Sequence, residues 1–212
     1  MSEPTPQLNA SEALQRLIDG NQRYIADLAS SAATDRRRRE ELTGGQAPFA
    51  IILGCSDSRV PAEIVFDQGL GDLFVIRVAG NIVAPSQIGS VEFSAEAHGV
   101  RLVVVLGHSQ CGAVSATLER LMQSGKKGSG NLKSIVNRIR PAVEGLLETN
   151  LRDDQPKLME QAVRANIRAS VAQLHSGSQL LEDLVRNDGL LIVGAEYSLE
   201  TGQVEFFYNL PE

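Results

Sequence analysis

The chain is poor in the residues that mark oxidised, membrane-embedded or nucleic-acid-binding proteins. It has 2 cysteines and 3 histidines in 212 residues, no tryptophan, and only 4% aromatic residues. Two cysteines make no disulfide framework in a chain of this length without a secretory leader, so reduced thiols are expected. Residues 1–10 are polar, carry Pro4 and Pro6, and lack the basic-then-apolar order of such a leader. A cytoplasmic location is the expectation. No apolar run is long enough to span a bilayer, and no membrane partner is expected. Positive charge is also scarce, with 20 Lys+Arg against 26 Asp+Glu for a net charge of −6. That balance argues against nucleic acid as a partner. The one basic run, Arg36-Arg37-Arg38-Arg39, is followed at once by Glu40 and Glu41, and reads as a solvated helix face or an oligomer contact. Gly44-Gly45 has no phosphate-loop Lys-Ser/Thr after it. No G-x-S-x-G elbow surrounds Ser58 or Ser109.

What is present is an alternation of strands and helices in a chain of one-domain size. Ser11-Glu12 reads as the cap of a helix running to about residue 29, with Leu14, Leu17, Ile18, Ile25 and Leu28 near helical period. Residues 1–45 are expected to form a helical arm that packs on the domain or on a partner subunit. The apolar runs 49–53, 73–78, 102–106 and 190–193 read as strands, with 204–208 a last strand antiparallel to the one before it. Gly107 is expected to terminate the third. Residues 79–87 read as a loop, 89–98 and 111–122 as helices, and 124–130 as a flexible loop. Residues 131–184 read as helical with interruptions near Pro141 and Pro156. The expected fold is therefore α/β: a mostly parallel central sheet with flanking helices and an antiparallel C-terminal edge hairpin, in a single domain over 1–212.

Two short stretches hold the chemistry: Cys55-Ser56-Asp57-Ser58-Arg59 and His108-Ser109-Gln110-Cys111-Gly112. Both follow strands, where ligands bind in open α/β sheets. Zn²⁺ takes thiolate and imidazole ligands, and a catalytic site leaves one of four positions open. Cys55, His108 and Cys111 supply three such ligands with no further Cys or His beside them, the pattern of an open site. Asp57 and Arg59 lie on the same turn, where an arginine can hold a carboxylate by paired hydrogen bonds. Asp57 is then set either to accept a hydrogen bond from a water on the metal or to occupy the fourth position itself. His98 and His175 stand alone and read as ordinary surface or core residues.

These motifs, together with Arg77-Val-Ala-Gly80-Asn81, resemble those of the β-class carbonic anhydrases, over about residues 11–208. The resemblance implies reversible hydration of CO₂ to bicarbonate and a proton by zinc-bound hydroxide, one Zn²⁺ per subunit, and a homodimer or homotetramer. It makes Cys55, His108 and Cys111 the metal ligands, and Asp57 and Arg59 the catalytic dyad. It makes Gln46, entering from a neighbouring subunit, a substrate contact, and places Phe74 and Phe93 around the CO₂ pocket. The backbone amide of Gly112 is to face a substrate oxygen. Some relatives bind bicarbonate at a second site through a tryptophan three residues before the first cysteine. Here that residue is Ile52, so no strong site of that kind is expected beside Arg77. Two other readings stay open: a zinc hydrolase of another small linear molecule such as CS₂ or COS, and a zinc or redox-sensing module without catalysis.

Overall fold

The computed structural model describes residues 8–29, 34–123 and 129–211. Five strands form one sheet: β1 (Ala50–Gly54), β2 (Leu73–Arg77), β3 (Leu102–His108), β4 (Leu191–Tyr197) and β5 (Val204–Tyr208), in the order β2-β1-β3-β4-β5. All neighbours run parallel except β4 and β5, which are antiparallel. The expected fold class is the observed one.

Side chains alternate between the two faces and both faces are covered, so β1 and β3 are apolar at nearly every position and buried throughout. Ile51, Leu53, Val103 and Val105 point into one core. Ile52, Leu102, Val104 and Leu106 point into the other. The first core is roofed by α4 (Pro85–Ala97), α5 (Gly112–Met122), α6 (Gly130–Val143), α7 (Gln155–Ser176) and α8 (Gln179–Asn187). The second is roofed by α1 (Ala10–Ile25) and the short α3 (Ala62–Val65). Burying each large aliphatic side chain in these layers contributes about 1.5–3 kcal/mol.

Helix α1 lays Ala13, Leu14 and Leu17 into the second core of its own chain. Its Asn21 side chain ties the helix down, donating to Val65 O and Gly202 O and accepting from Val204 N. A short basic helix, α2 (Arg36–Glu41), follows with no buried residue. No described helix is long and apolar enough to cross a membrane.

Several boundaries differ from the sequence reading, each for a physical reason. The cap of α1 is Asn9, not Ser11-Glu12; Glu12 is the return partner of a capping box that Asn9 opens. Helix α4 starts at Pro85 rather than Gly89, since a first-turn proline gives up no helical hydrogen bond. Pro141 lies inside α6, whose helix runs on to Val143, and Pro156 sits in the first turn of α7. Gly107 does not end β3. It pairs with Glu196 in the ladder, and a Cβ there would lie 2.5 Å from Ile167 Cδ1. This glycine makes room for α7 rather than breaking the strand. Of the loop expected at 124–130, residues 124–128 lie outside the described residues, and Gly130 opens α6.

Candidate metal centre

The ends of β1 and β3 lie side by side, so Cys55, just past β1, meets His108, the last residue of β3. Cys111 is the N-cap residue of α5, one turn on. The ligand atoms of Cys55, His108 and Cys111 all lie within 4.8 Å of one another, and all three residues are buried. Zinc bonds of about 2.0–2.3 Å can draw such a set onto one ion.

His108 supplies an independent test. Its Nδ1 lies 2.9 Å from the carbonyl oxygen of Ser109, to which it donates in the neutral tautomer. Its Nε2 is buried and makes no hydrogen bond of ordinary geometry, facing the Cys55 sulfur and, at 3.8 Å, Asp57 Oδ2. A buried ring nitrogen left unpaired is costly unless something else takes its lone pair. The donor set and this orphaned nitrogen both fit zinc.

The thiols are polarised unequally. The Cys111 thiol beside Cys55, backed against burial by His108 and the Gly80 amide, lowers Cys55 to about 4. Cys111 is pushed up by the Cys55 thiolate it faces and by burial. Burial works to lower His108, but the adjacent Cys55 thiolate wins and raises it. Zinc takes cysteine as thiolate and histidine as neutral imidazole, so its binding to this set releases whatever protons the three side chains carry.

Asp57 stands at the mouth of the cluster, with Oδ2 3.8 Å from His108 Nε2. Arg59 grips it three times, through Nε and the backbone N to Oδ1 at 2.9 and 3.0 Å and through Nη2 to Oδ2 at 2.8 Å. That grip holds the Asp57 carboxyl well below the usual carboxylate range, against partial burial. Arg77 clamps the same turn from its other side, donating to Cys55 O at 3.0 Å and Asp57 O at 2.6 Å. Gly112, next to Cys111, opens α5, with its position exposed.

The remaining predicted site residues lie elsewhere. Phe74 is in register with Ile51, four residues before Cys55, so it is about 13 Å back along the sheet at about 3.3 Å per residue. Its ring sits 6.1 Å from those of Phe93 and His98, and Phe93 is 54% exposed. Gln46 lies ahead of β1 and lines a groove with Arg39, Leu42, Thr43, Leu70 and Gly71. One chain thus assembles Cys55, Asp57, Arg59, His108, Cys111 and Gly112, and leaves Gln46, Phe74 and Phe93 at the other end of the sheet. The sequence reading placed 79–81 in a loop and named Gly80 and Asn81 within a motif but gave Gly80 no role, whereas Gly80 N donates to Cys55 Sγ at 3.3 Å. The available signal was register: Arg77 pairs with Gly54, so the residues after it arrive level with Cys55.

Fold and site together define an α/β protein with a buried Cys55-His108-Cys111 cluster that fits zinc at the carboxyl end of a parallel sheet. The comparisons with known proteins narrow that class. The family model described as carbonic anhydrase matches residues 50–204. "Carbonic anhydrase 2" of Mycobacterium tuberculosis is 37% identical over 198 residues, 93% of each chain. A carbonic anhydrase of Mycolicibacterium smegmatis is 38% identical over 205 residues, 97% of each. The solved structure of the β-carbonic anhydrase CcaA superposes with a TM-score of 0.71 at 28% identity, covering 95% of this chain and 94% of that one. A tetrameric β-carbonic anhydrase of Sordaria macrospora shares the fold at a TM-score of 0.72 and 22% identity, covering 92% of this chain and 97% of that one. The chain belongs to the β-class carbonic anhydrases. It is a zinc-dependent enzyme of reversible CO₂ hydration.

Proposed function

We propose that Cys55, His108 and Cys111 hold the zinc and that Asp57, fixed by Arg59, orients the attacking oxygen. The observation that carries this is the placement of the Asp57 carboxylate 3.8 Å from the unpaired Nε2 of His108 while both its oxygens are held by Arg59. Zinc, when bound, acts as a Lewis acid that makes water a nucleophile near neutral pH.

The protein's own residues then have defined tasks. Asp57 carries no proton at working pH, so it can only accept a hydrogen bond. It takes one from the attacking oxygen and turns the free lone pair of that oxygen toward the carbon of CO₂. Arg59 keeps the carboxylate in that orientation. The same three hydrogen bonds oppose the alternative left open by the sequence, in which Asp57 moves onto the metal. The Gly112 amide, at the positive end of α5, faces the oxygen on which negative charge develops. Arg77 has two donors committed to the carbonyls of Cys55 and Asp57. It serves to brace the turn.

Gln46, Phe74 and Phe93 complete the pocket of a second copy rather than their own. Their distance from Cys55 and the exposure of Phe93 support this arrangement, and make the working unit a homodimer or a pair of dimers. The test combines zinc analysis with stopped-flow CO₂ hydration. One zinc per chain and hydration activity are expected. Stoichiometric zinc without hydration would reject the proposed roles of Asp57 and Arg59.

A further inference from the structure

We infer that Asn166, on α7, is a positioning residue for the metal centre and acts on Cys55 through the backbone of Gly80. The inference rests on Cys55 being a zinc ligand, as proposed above.

Helix α7 faces the sheet with Val163, Ile167, Val171 and Leu174, all fully or nearly buried. Two polar side chains one turn apart interrupt this face: Asn166, 2% exposed, and Ser170, 3% exposed. An amide and a hydroxyl in an apolar layer are unfavourable unless hydrogen-bonded. Both are bonded, and to the same turn. Asn166 Nδ2 donates to Gly80 O at 2.8 Å, and Ser170 Oγ donates to Asn81 O at 2.9 Å.

That turn has an uncommon backbone, closed locally by a hydrogen bond from Asn81 N to Val78 O at 3.0 Å. Gly80 has φ 72° and Asn81 φ 43°, two successive residues in the left-handed region. Glycine and asparagine are the residues that enter this region most readily, so the sequence permits the turn and tertiary contacts select it. A Cβ on Gly80 would also lie 2.9 Å from Ile139 Cδ1 and 3.0 Å from Ala113 Cβ, so the turn is wedged against α5 and α6. The two donors on α7 hold it in that state. The Gly80 N–H is then left for Cys55 Sγ, at 3.3 Å.

An N–H aimed at a ligand sulfur withdraws charge from it and fixes its direction, and partners of this kind tune metal affinity. Asn166 is 86 residues from Gly80 in the chain, and none of its hydrogen bonds runs to a ligand side chain. Its effect on the metal passes through one peptide.

The test compares Asn166→Ala and the near-isosteric Asn166→Leu with Ser170→Ala and with Val163→Ala, a buried apolar α7 residue that has no side-chain donor to offer the turn. Zinc affinity is read by competition with a chromophoric chelator. The sulfur-to-metal charge-transfer band is read on Co²⁺-substituted protein. Both Asn166 variants are expected to bind zinc about 10–100-fold more weakly and to shift the band. Ser170→Ala should do so to a smaller degree, and Val163→Ala should lose thermal stability without changing either reading. Wild-type affinity and an unchanged band in the Asn166 variants would overturn the inference. Should those variants not fold, Ser170→Ala decides it by the same two readings, an unchanged result again overturning it. If Cys55→Ser binds zinc as tightly as the wild type, the ligand assignment itself has failed, an outcome distinct from the failure of Asn166 alone.

Discussion

The two ends of the sheet are built on opposite plans. At the carboxyl end, the Cys55-Asp57 turn is fastened by Arg59, Arg77 and Gly80, and His108 by the Ser109 carbonyl. At the amino end, the rings of Phe74, Phe93 and His98 cluster together, and Gln46 lies in an open groove. The first end is preorganised by the chain that owns it, which suits groups that must hold a metal and a nucleophile to within a fraction of an ångström. The second exposes a large ring to water, which suits a surface completed by another copy. On the proposed reading, chemistry and substrate enclosure are separate duties, assigned to opposite ends of one scaffold.

That contrast can be broken from either end. The largest effect is expected from Cys55→Ser, which removes a soft ligand from the carboxyl end. Stoichiometric zinc and CO₂ hydration should both be lost, by metal analysis and stopped-flow assay. Next comes Asp57→Ala, expected to keep one zinc per chain while lowering kcat by about 10²–10⁴-fold, the range for a positioned proton-handling group. A metal-free Asp57→Ala protein would contradict the division between ligands and dyad. At the amino end, Phe93→Glu puts a charge into the exposed ring cluster. It should leave zinc content intact, shift the protein toward monomer in sedimentation, and lower activity about tenfold or more, as for loss of an aromatic anchor at an interface. A fully dimeric, fully active Phe93→Glu protein would show that this end encloses nothing.

The smallest effect concerns pH. Asp57 is depressed in the folded chain by Arg59, below an unfolded value of about 3.9. The pair therefore stabilises the fold fully above that value and loses its contribution only as pH falls through the lower folded one. The Asp57 carboxyl ¹³C shift should stay flat from pH 8 to about pH 5. Arg59→Ala should move its titration back up toward the ordinary carboxylate range.

Which of these features the sequence displayed follows from how local their causes are. The sheet was legible because β1 and β3 are buried on both faces and so are written as continuous apolar runs. The metal cluster was legible because soft ligands are few: two cysteines and one spaced histidine leave little choice. Asp57 and Arg59 were legible because their bond spans two residues. The misreadings at Ser11-Glu12, Gly89 and Gly107 arose where a residue serves a partner distant in space or has two common uses. Gly107 resembles a strand terminator, yet its cause is Ile167 on another element. Asn166 was invisible for the same reason: a lone polar residue in an amphipathic helix looks solvated until the fold shows that it is buried against Gly80.

The shared geometry of β1 and β3 has a thermodynamic side. Cys55 and His108 are neighbours only because a complete strand-helix crossover, β2 with α4, lies folded between them. With Cys55 and His108 as the proposed ligands, opening either strand end separates the set, so ion binding and the native sheet are coupled. Free zinc concentration thus enters the folding equilibrium. At a hundred times its dissociation constant, an ion bound only by the native state adds about 2.7 kcal/mol of stability. The same chain should therefore melt at a temperature set by the zinc buffer around it, and a chelator should act on it as a denaturant does.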